Sequence, residues 1–157
     1  PDANHPELWP DERLRMIDAI SGQWLVDGRH RYRATKEIDP SEWFFKAHFF
    51  QDPVMPGSLG IEAMFQTLRF DILRRELHSY SDPVIEPVAI DRQVEWTYRG
   101  QVLPEARNMT VLLEVSDTLH REGETTVIAD ASLWVDGTKI YAANGLAMRV
   151  YQDPASI

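Results

Sequence analysis

The chain has no cysteine in 157 residues. That excludes disulfides, a thiolate nucleophile and any sulfur-ligated metal site, and it fits a reducing cytoplasm. No apolar run is long enough to cross a membrane, and no signal-peptide pattern opens the sequence. Positive charge is scarce: 16 Lys and Arg face 25 Asp and Glu, a formal net charge of −9. Phosphate backbones are held by clustered Lys and Arg, so this balance argues against nucleic acid as a partner. The five histidines show no i,i+4 or HExxH spacing, and no metal site is expected. Internal repeats, linkers and low-complexity tracts are also missing. With 43% hydrophobic and 26% charged residues, residues 1–157 are expected to form one globular domain around a single core. The first residue is Pro rather than Met, as expected of a domain cut from a longer polypeptide or of a trimmed tag.

Chemistry concentrates in 47–66, AHFFQDPVMPGSLGIEAMFQ. His48 sits in an aromatic run that turns at Asp52-Pro53, and a second turn at Pro56-Gly57 opens into a helical pattern. Proline holds the residue before it extended, so the helix starts no earlier than Pro56. Gly57 allows a ligand close to the backbone, and Ser58 is the expected N-cap. On a helical wheel Gly60, Thr67, Asp71 and Arg74 form one polar side, expected to face solvent. Glu62, Gln66 and Arg69 form a second stripe at i, i+4, i+7. A helix needs only one wet face. The stripe alone leaves two readings: Glu62 looks into a cleft or interface, or it is a structural carboxylate paired with Arg69.

The segment resembles the signature of the β-hydroxyacyl-acyl carrier protein dehydratases of the 3-hydroxydecanoyl type, which have the hot-dog fold. In that family a catalytic histidine precedes a GDPVMPG-like turn, and an Asp or Glu follows on the central helix. His48 and Glu62 hold those positions here, with Gly57 at the helix entrance. Gly100-Gln101-Val102-Leu103-Pro104 is similar to the family's GQVLP segment, and Val135-Asp136-Gly137 with Ile140-Tyr141 to its late hairpin. The tail Tyr151-Gln152-Asp153 is family-like too, so the likeness covers nearly the whole chain. The wording HFFQDPVMPGSLGIEAM looks most like dehydratase domains of polyunsaturated fatty acid synthases.

The resemblance implies an α+β hot-dog fold, an antiparallel sheet wrapped around one long helix. It implies dehydration of (3R)-hydroxyacyl thioesters on acyl carrier protein to trans-2-enoyl thioesters, with no metal or organic cofactor. His48 is the expected base for the α-proton, since imidazole titrates near neutrality. Glu62 is the expected acid for the departing hydroxyl, its carboxyl pushed toward the protonated form among Ile61, Ala63, Met64 and Phe65. Backbone N–H of Gly57, with Ser58, would stabilise the thioester oxyanion. Val54, Pro56 and Gln66 are expected to support the site, Gln66 by orienting Glu62 or by bonding to backbone. Family members assemble this site across two hot dogs, so a homodimer or a fused double hot dog is implied. Ser58 stands where the family usually has Cys. Glu62 is the acid of the dehydratase-only branch, whereas the bifunctional isomerases have Asp, and the rest of the motif is more similar to theirs. Isomerisation to a cis-3 product is left open.

Free-standing family members carry a basic patch for the acidic carrier in the region of Thr118–Glu124. Here it reads TLHREGE, with Arg121 its one firm positive charge. A carrier tethered in the same polypeptide would remove the need for steering. Two other readings remain: a hot-dog thioesterase, and a non-catalytic scaffold domain of a synthase.

Along the chain, residues 1–20 are expected to be an irregular arm with a short strand or helical turn. A DG hairpin joins Trp24–Val26 to His30–Ile38, and Trp43-Phe44-Phe45 leads to His48. After the helix, Ser79–Pro87 is expected to be a loop and Val88–Arg99 a strand. Met109–Val115, Thr125–Val135 and Lys139–Val150 are expected strands, the last two joined at Asp136-Gly137. His5, His30, His78 and His120 lie among polar neighbours and are expected at the surface.

Overall fold

Asp27 and Gly28 both take positive φ (51° and 77°), the conformation that lets a two-residue turn follow the twist of its strands. They join β1 (Ala19–Val26) to β2 (Arg29–Glu37) in an antiparallel hairpin, as the DG signal predicts. The structure, a computed structural model, describes residues 9–88 and 93–153. After β2 come a short helix, α1 (Trp43–Ala47), and the long helix α2 (Gly57–Arg75). Five strands follow: β3 (Pro83–Pro87), β4 (Glu95–Tyr98), β5 (Asn108–Arg121), β6 (Glu124–Val135) and β7 (Thr138–Gln152). They pair in the order β1-β2-β5-β6-β7-β3, every ladder antiparallel, and β4 also pairs with β7. One antiparallel sheet with one long helix against it is the α+β hot-dog arrangement expected.

Helix α2 packs across β2, β5, β6 and β7. Its Leu59, Ala63, Met64, Leu68 and Ile72 are buried in one core with Tyr32, Met109, Val111, Leu133 and Met148. Each Leu, Ile, Val and Met among them contributes about 1.5–3 kcal/mol relative to exposure. Residues Tyr32, Ala34 and Lys36 of β2 point inward while their charged neighbours stay wet.

The expected solvent face of α2 is the main correction. Gly60, Thr67 and Asp71 are buried, and of that set only Arg74 is exposed. A β-carbon on Gly60 would lie 2.3 Å from the Tyr141 ring, so glycine there lets the sheet approach. The Thr67 hydroxyl donates to the Ala63 carbonyl (2.8 Å). Asp71, fully buried, accepts from Tyr32 Oη (2.7 Å) and from Arg75 Nε and Nη2 (2.7 and 2.6 Å). Polar residues satisfied by partners in the interior are legible on a wheel only as a wet face.

Smaller corrections concern boundaries. Ser79–Pro87 is not all loop: Leu77–Ser79 is a 3₁₀ turn, and Pro83–Pro87 is strand β3 against the end of β7. Its prolines sit at the two ends of an edge strand, where a missing N–H is tolerated. The Val88–Arg99 strand shrinks to Glu95–Tyr98, and residues 89–92 of that expectation lie outside those described. The approach to His48 is helical, and β5 runs on to Arg121. Among the described residues no helix is long and apolar enough to cross a membrane.

Candidate active site

Two buried aromatic anchors fix the position of His48. Phe44 and Phe45 of α1 pack in the core, and the His48 N–H donates to the Phe44 carbonyl (3.2 Å) at the end of that helix. The imidazole lies against Phe49, ring centroids 3.9 Å apart. Its Nδ1 is 3.1 Å from the Val54 carbonyl oxygen. A carbonyl only accepts, so neutral His48 carries its proton on Nδ1 and leaves the Nε2 lone pair available. Between these partners the chain reverses through Gln51, at φ 59°.

The turn after His48 is pinned from the far side. Met55 N–H donates to the Val102 carbonyl (3.0 Å), and Val54, Met55 and Val102 are buried. The VMPG and GQVLP segments, far apart in sequence, therefore touch. Pro56 (φ −52°, ψ 132°) caps α2, which begins at Gly57. Ser58 is thus not the N-cap but a residue of the first turn, because Pro56 already supplies the extended cap conformation. The N–H groups of Gly57 and Ser58 are among those that an α-helix leaves without an intrahelical partner.

Glu62, half-buried on the second turn of α2, accepts from Gln66 Nε2 (2.8 Å). Gln66 is buried, and it also donates to the Leu14 carbonyl (2.6 Å) and accepts from the Met16 N–H (2.8 Å). Gln66 therefore bonds to the Glu62 carboxylate and to backbone at once. Arg69, further along the stripe, donates to the Ile85 carbonyl (3.3 Å). Burial lowers its guanidinium pKa, and the charge of Glu62 acts in the opposite sense.

One neighbour of the helix entrance is not foreshadowed by any local pattern. A β-carbon on Gly57 would lie 1.9 Å from Tyr98 Oη, so the phenol rests directly against this glycine. The Tyr98 ring packs against Trp96 and Tyr141, with centroids 4.4 and 4.3 Å away. Gly57 is expected to let a ligand approach the backbone; the neighbour the structure places there is a tyrosine about forty residues downstream, beyond the reach of helix or strand periodicity.

His48, Val54, Pro56 and Gly57 thus follow one continuous turn that enters the helix bearing Glu62 and Gln66. Arg121 is elsewhere: it lies in the β5–β6 hairpin, 3.8 Å from Glu124, beside His120, which bonds Glu76 at the C-terminal end of α2. That end is about 28 Å along the helix from Gly57, at 1.5 Å rise per residue. His30 is half-buried against Tyr32, while His78 and His120 are exposed and His5 lies outside the described residues. No group of three or more His, Asp or Glu among the described residues is placed to hold a metal ion. An open groove of about 680 Å³, lined by Trp9, Arg15, Ile20 and Phe70 among others, holds neither His48 nor Glu62.

The model of the FabA-like domain matches residues 9–144. The chain belongs to the FabA-like domain family. It is 34% identical over 140 residues to one of the polyunsaturated fatty acid synthase polypeptides of Thraustochytrium sp. (strain ATCC 26185 / S-3). That match covers 87% of this FabA-like chain and only 9% of the far longer synthase polypeptide. Among solved structures it resembles the dehydratase heterocomplex ApeI:P from Xenorhabdus doucetiae (TM-score 0.62, 12% identity, 94% of this chain and 88% of that one). It also resembles a hypothetical thioesterase with coenzyme A from Streptococcus pneumoniae TIGR4 (TM-score 0.54, 12% identity, 84% of each chain). At such identities both likenesses establish the hot-dog fold and nothing finer.

Proposed function

We propose that this FabA-like domain removes water from (3R)-hydroxyacyl thioesters carried on acyl carrier protein, yielding trans-2-enoyl thioesters in fatty acid or polyunsaturated fatty acid synthesis. The hydrogen bond from His48 Nδ1–H to the Val54 carbonyl carries the reading, because it leaves the Nε2 lone pair free to take a proton. His48 takes the α-proton, the electron pair forms the new C=C bond, and Glu62 gives a proton to the departing hydroxyl, which leaves as water. Charge that builds on the thioester oxygen meets the Gly57 N–H at the start of α2. Membership of the FabA-like family and the likeness to a polyunsaturated fatty acid synthase support this substrate class.

A homodimer, or a second hot dog fused in the same polypeptide, completes the site. Strand β4 favours it: it lies at a sheet edge with all four residues exposed, Trp96 and Tyr98 among them. Those side chains, and the edge of β4 that no described strand pairs with, are the surface a second hot dog would cover. Arg121 already faces Glu124, which leaves little positive charge there for an acidic carrier and favours a tethered one.

Turnover of a short β-hydroxyacyl or trans-2-enoyl thioester, followed by enoyl absorbance, tests the proposal. General acid–base groups contribute about 10²–10⁴-fold, so His48→Ala and Glu62→Gln are each expected to lower turnover by at least about 100-fold with the fold intact. Release of free thiol at the rate of substrate loss would instead identify a thioesterase. Unchanged turnover in His48→Ala would sink the assignment.

A further inference from the structure

We propose that Tyr98 is a further catalytic residue, its hydroxyl donating a hydrogen bond to the thioester oxygen beside the Gly57 N–H. This rests on the dehydratase reading and adds a residue to its site. Three observations lead to it. The Tyr98 Oη sits where a side chain on Gly57 would begin, at the first residue of α2, so the phenol and the free end of the helix converge on one spot. Trp96 on one side and Tyr141 on the other hold the ring, which fixes the position of its oxygen. Among the described residues that hydroxyl has no hydrogen-bond partner, although the phenol is held in a defined place.

The chemistry suits the position. Partial burial raises the Tyr98 pKa above its ordinary value, so the group is a neutral donor across the working pH range. As His48 removes the α-proton, electron density flows onto the thioester oxygen before the β-hydroxyl leaves with the proton of Glu62. A donor fixed beforehand at that oxygen strengthens its bond as the charge develops, and one such donor is worth about 10²–10³ in kcat. Tyr98 itself gives up no proton, and the balance of the reaction is unchanged. Glycine at 57 then has a second purpose besides the turn: any side chain would displace the phenol.

The test is Tyr98→Phe, which keeps the ring packed between Trp96 and Tyr141 and removes only the hydroxyl. The expected result is a fall of about 100- to 1,000-fold in kcat, with KM within about twofold and the pH profile unshifted. The carbonyl stretch of a bound saturated acyl thioester, which cannot react, is expected to move to higher frequency in the variant. A kcat within about twofold of wild type, or a loss confined to KM, would overturn the assignment. If the variant folds poorly, the carbonyl stretch on the folded fraction still decides between the outcomes. His48→Ala measured alongside separates the two claims. Free thiol release in place of enoyl product removes the dehydratase reading, and dehydration surviving in His48→Ala removes His48 as its base. Turnover lost there but kept in Tyr98→Phe removes only Tyr98.

Discussion

Gln66 holds Glu62 through a 2.8 Å hydrogen bond, and with its remaining amide atoms it ties down Leu14 and Met16 of the N-terminal segment. The proposed acid and the start of the described chain therefore share one buried side chain. Replacing Gln66 by Ala leaves the Met16 N–H and the Leu14 carbonyl without that partner, at a cost of about 1–3 kcal/mol. The same change frees the Glu62 carboxyl, and kcat is expected to fall by about tenfold or more, as misplaced catalytic groups do. Urea unfolding and steady-state kinetics on one preparation check both. A stability loss with unchanged kcat would confine Gln66 to the fold.

Asp71 has the most demanding surroundings of any carboxylate described. It is fully buried and accepts two bonds from Arg75 and one from Tyr32. Asp71→Ala leaves the half-buried Arg75 guanidinium with Glu76 alone (3.1 Å) and the Tyr32 hydroxyl without its partner, at a cost of about 2–4 kcal/mol. Tyr32→Phe leaves the Arg75 bonds in place and is expected to cost only about 1–2 kcal/mol. Denaturant midpoints of the two variants, compared with wild type, test the ranking.

Alkaline pH should weaken the fold through its buried phenols. Burial pushes Tyr141 up to about 12, from an ordinary value of 10. The folded state therefore keeps this proton when the unfolded state begins to lose it. Its contribution is intact below pH 10, declines above that, and is gone once pH passes about 12. The difference amounts to about 2–3 kcal/mol. Tyr32 is shifted the same way by burial and by Asp71. The urea midpoint of wild type is expected to drop between pH 10 and about 12, and that of Tyr141→Phe to drop less. Equal slopes would contradict the assignment.

The β4 edge offers a direct test of assembly. Trp96 is exposed on the single chain, where it packs against Tyr98. Trp96→Glu places a charge at the proposed contact, where burial without a partner is unfavourable. Sedimentation is expected to show a shift from dimer toward monomer, with turnover falling in parallel. A variant that remains dimeric and active would move the interface elsewhere.

Much of this protein could be read without coordinates because its signals are local. Asp27-Gly28 and Asp136-Gly137 are turns wherever they occur, since positive φ is cheap for these residues. Pro56 stops extended chain and Gly57 starts helix for reasons confined to a few bonds. The motif from His48 to Glu62 is likewise contiguous. Tertiary structure decided what distant segments bring to those residues. Asp71 looked wet because a wheel knows polarity but not that Tyr32 and Arg75 would meet it in the interior. The prolines of β3 looked like loop because an edge strand exists only once β7 is beside it. Val102 beneath the VMPG turn, Leu14 at Gln66 and Tyr98 against Gly57 are all products of the sheet closing over α2. A hydrogen bond or close contact between residues dozens of positions apart leaves no periodicity to read, so only packing reveals it.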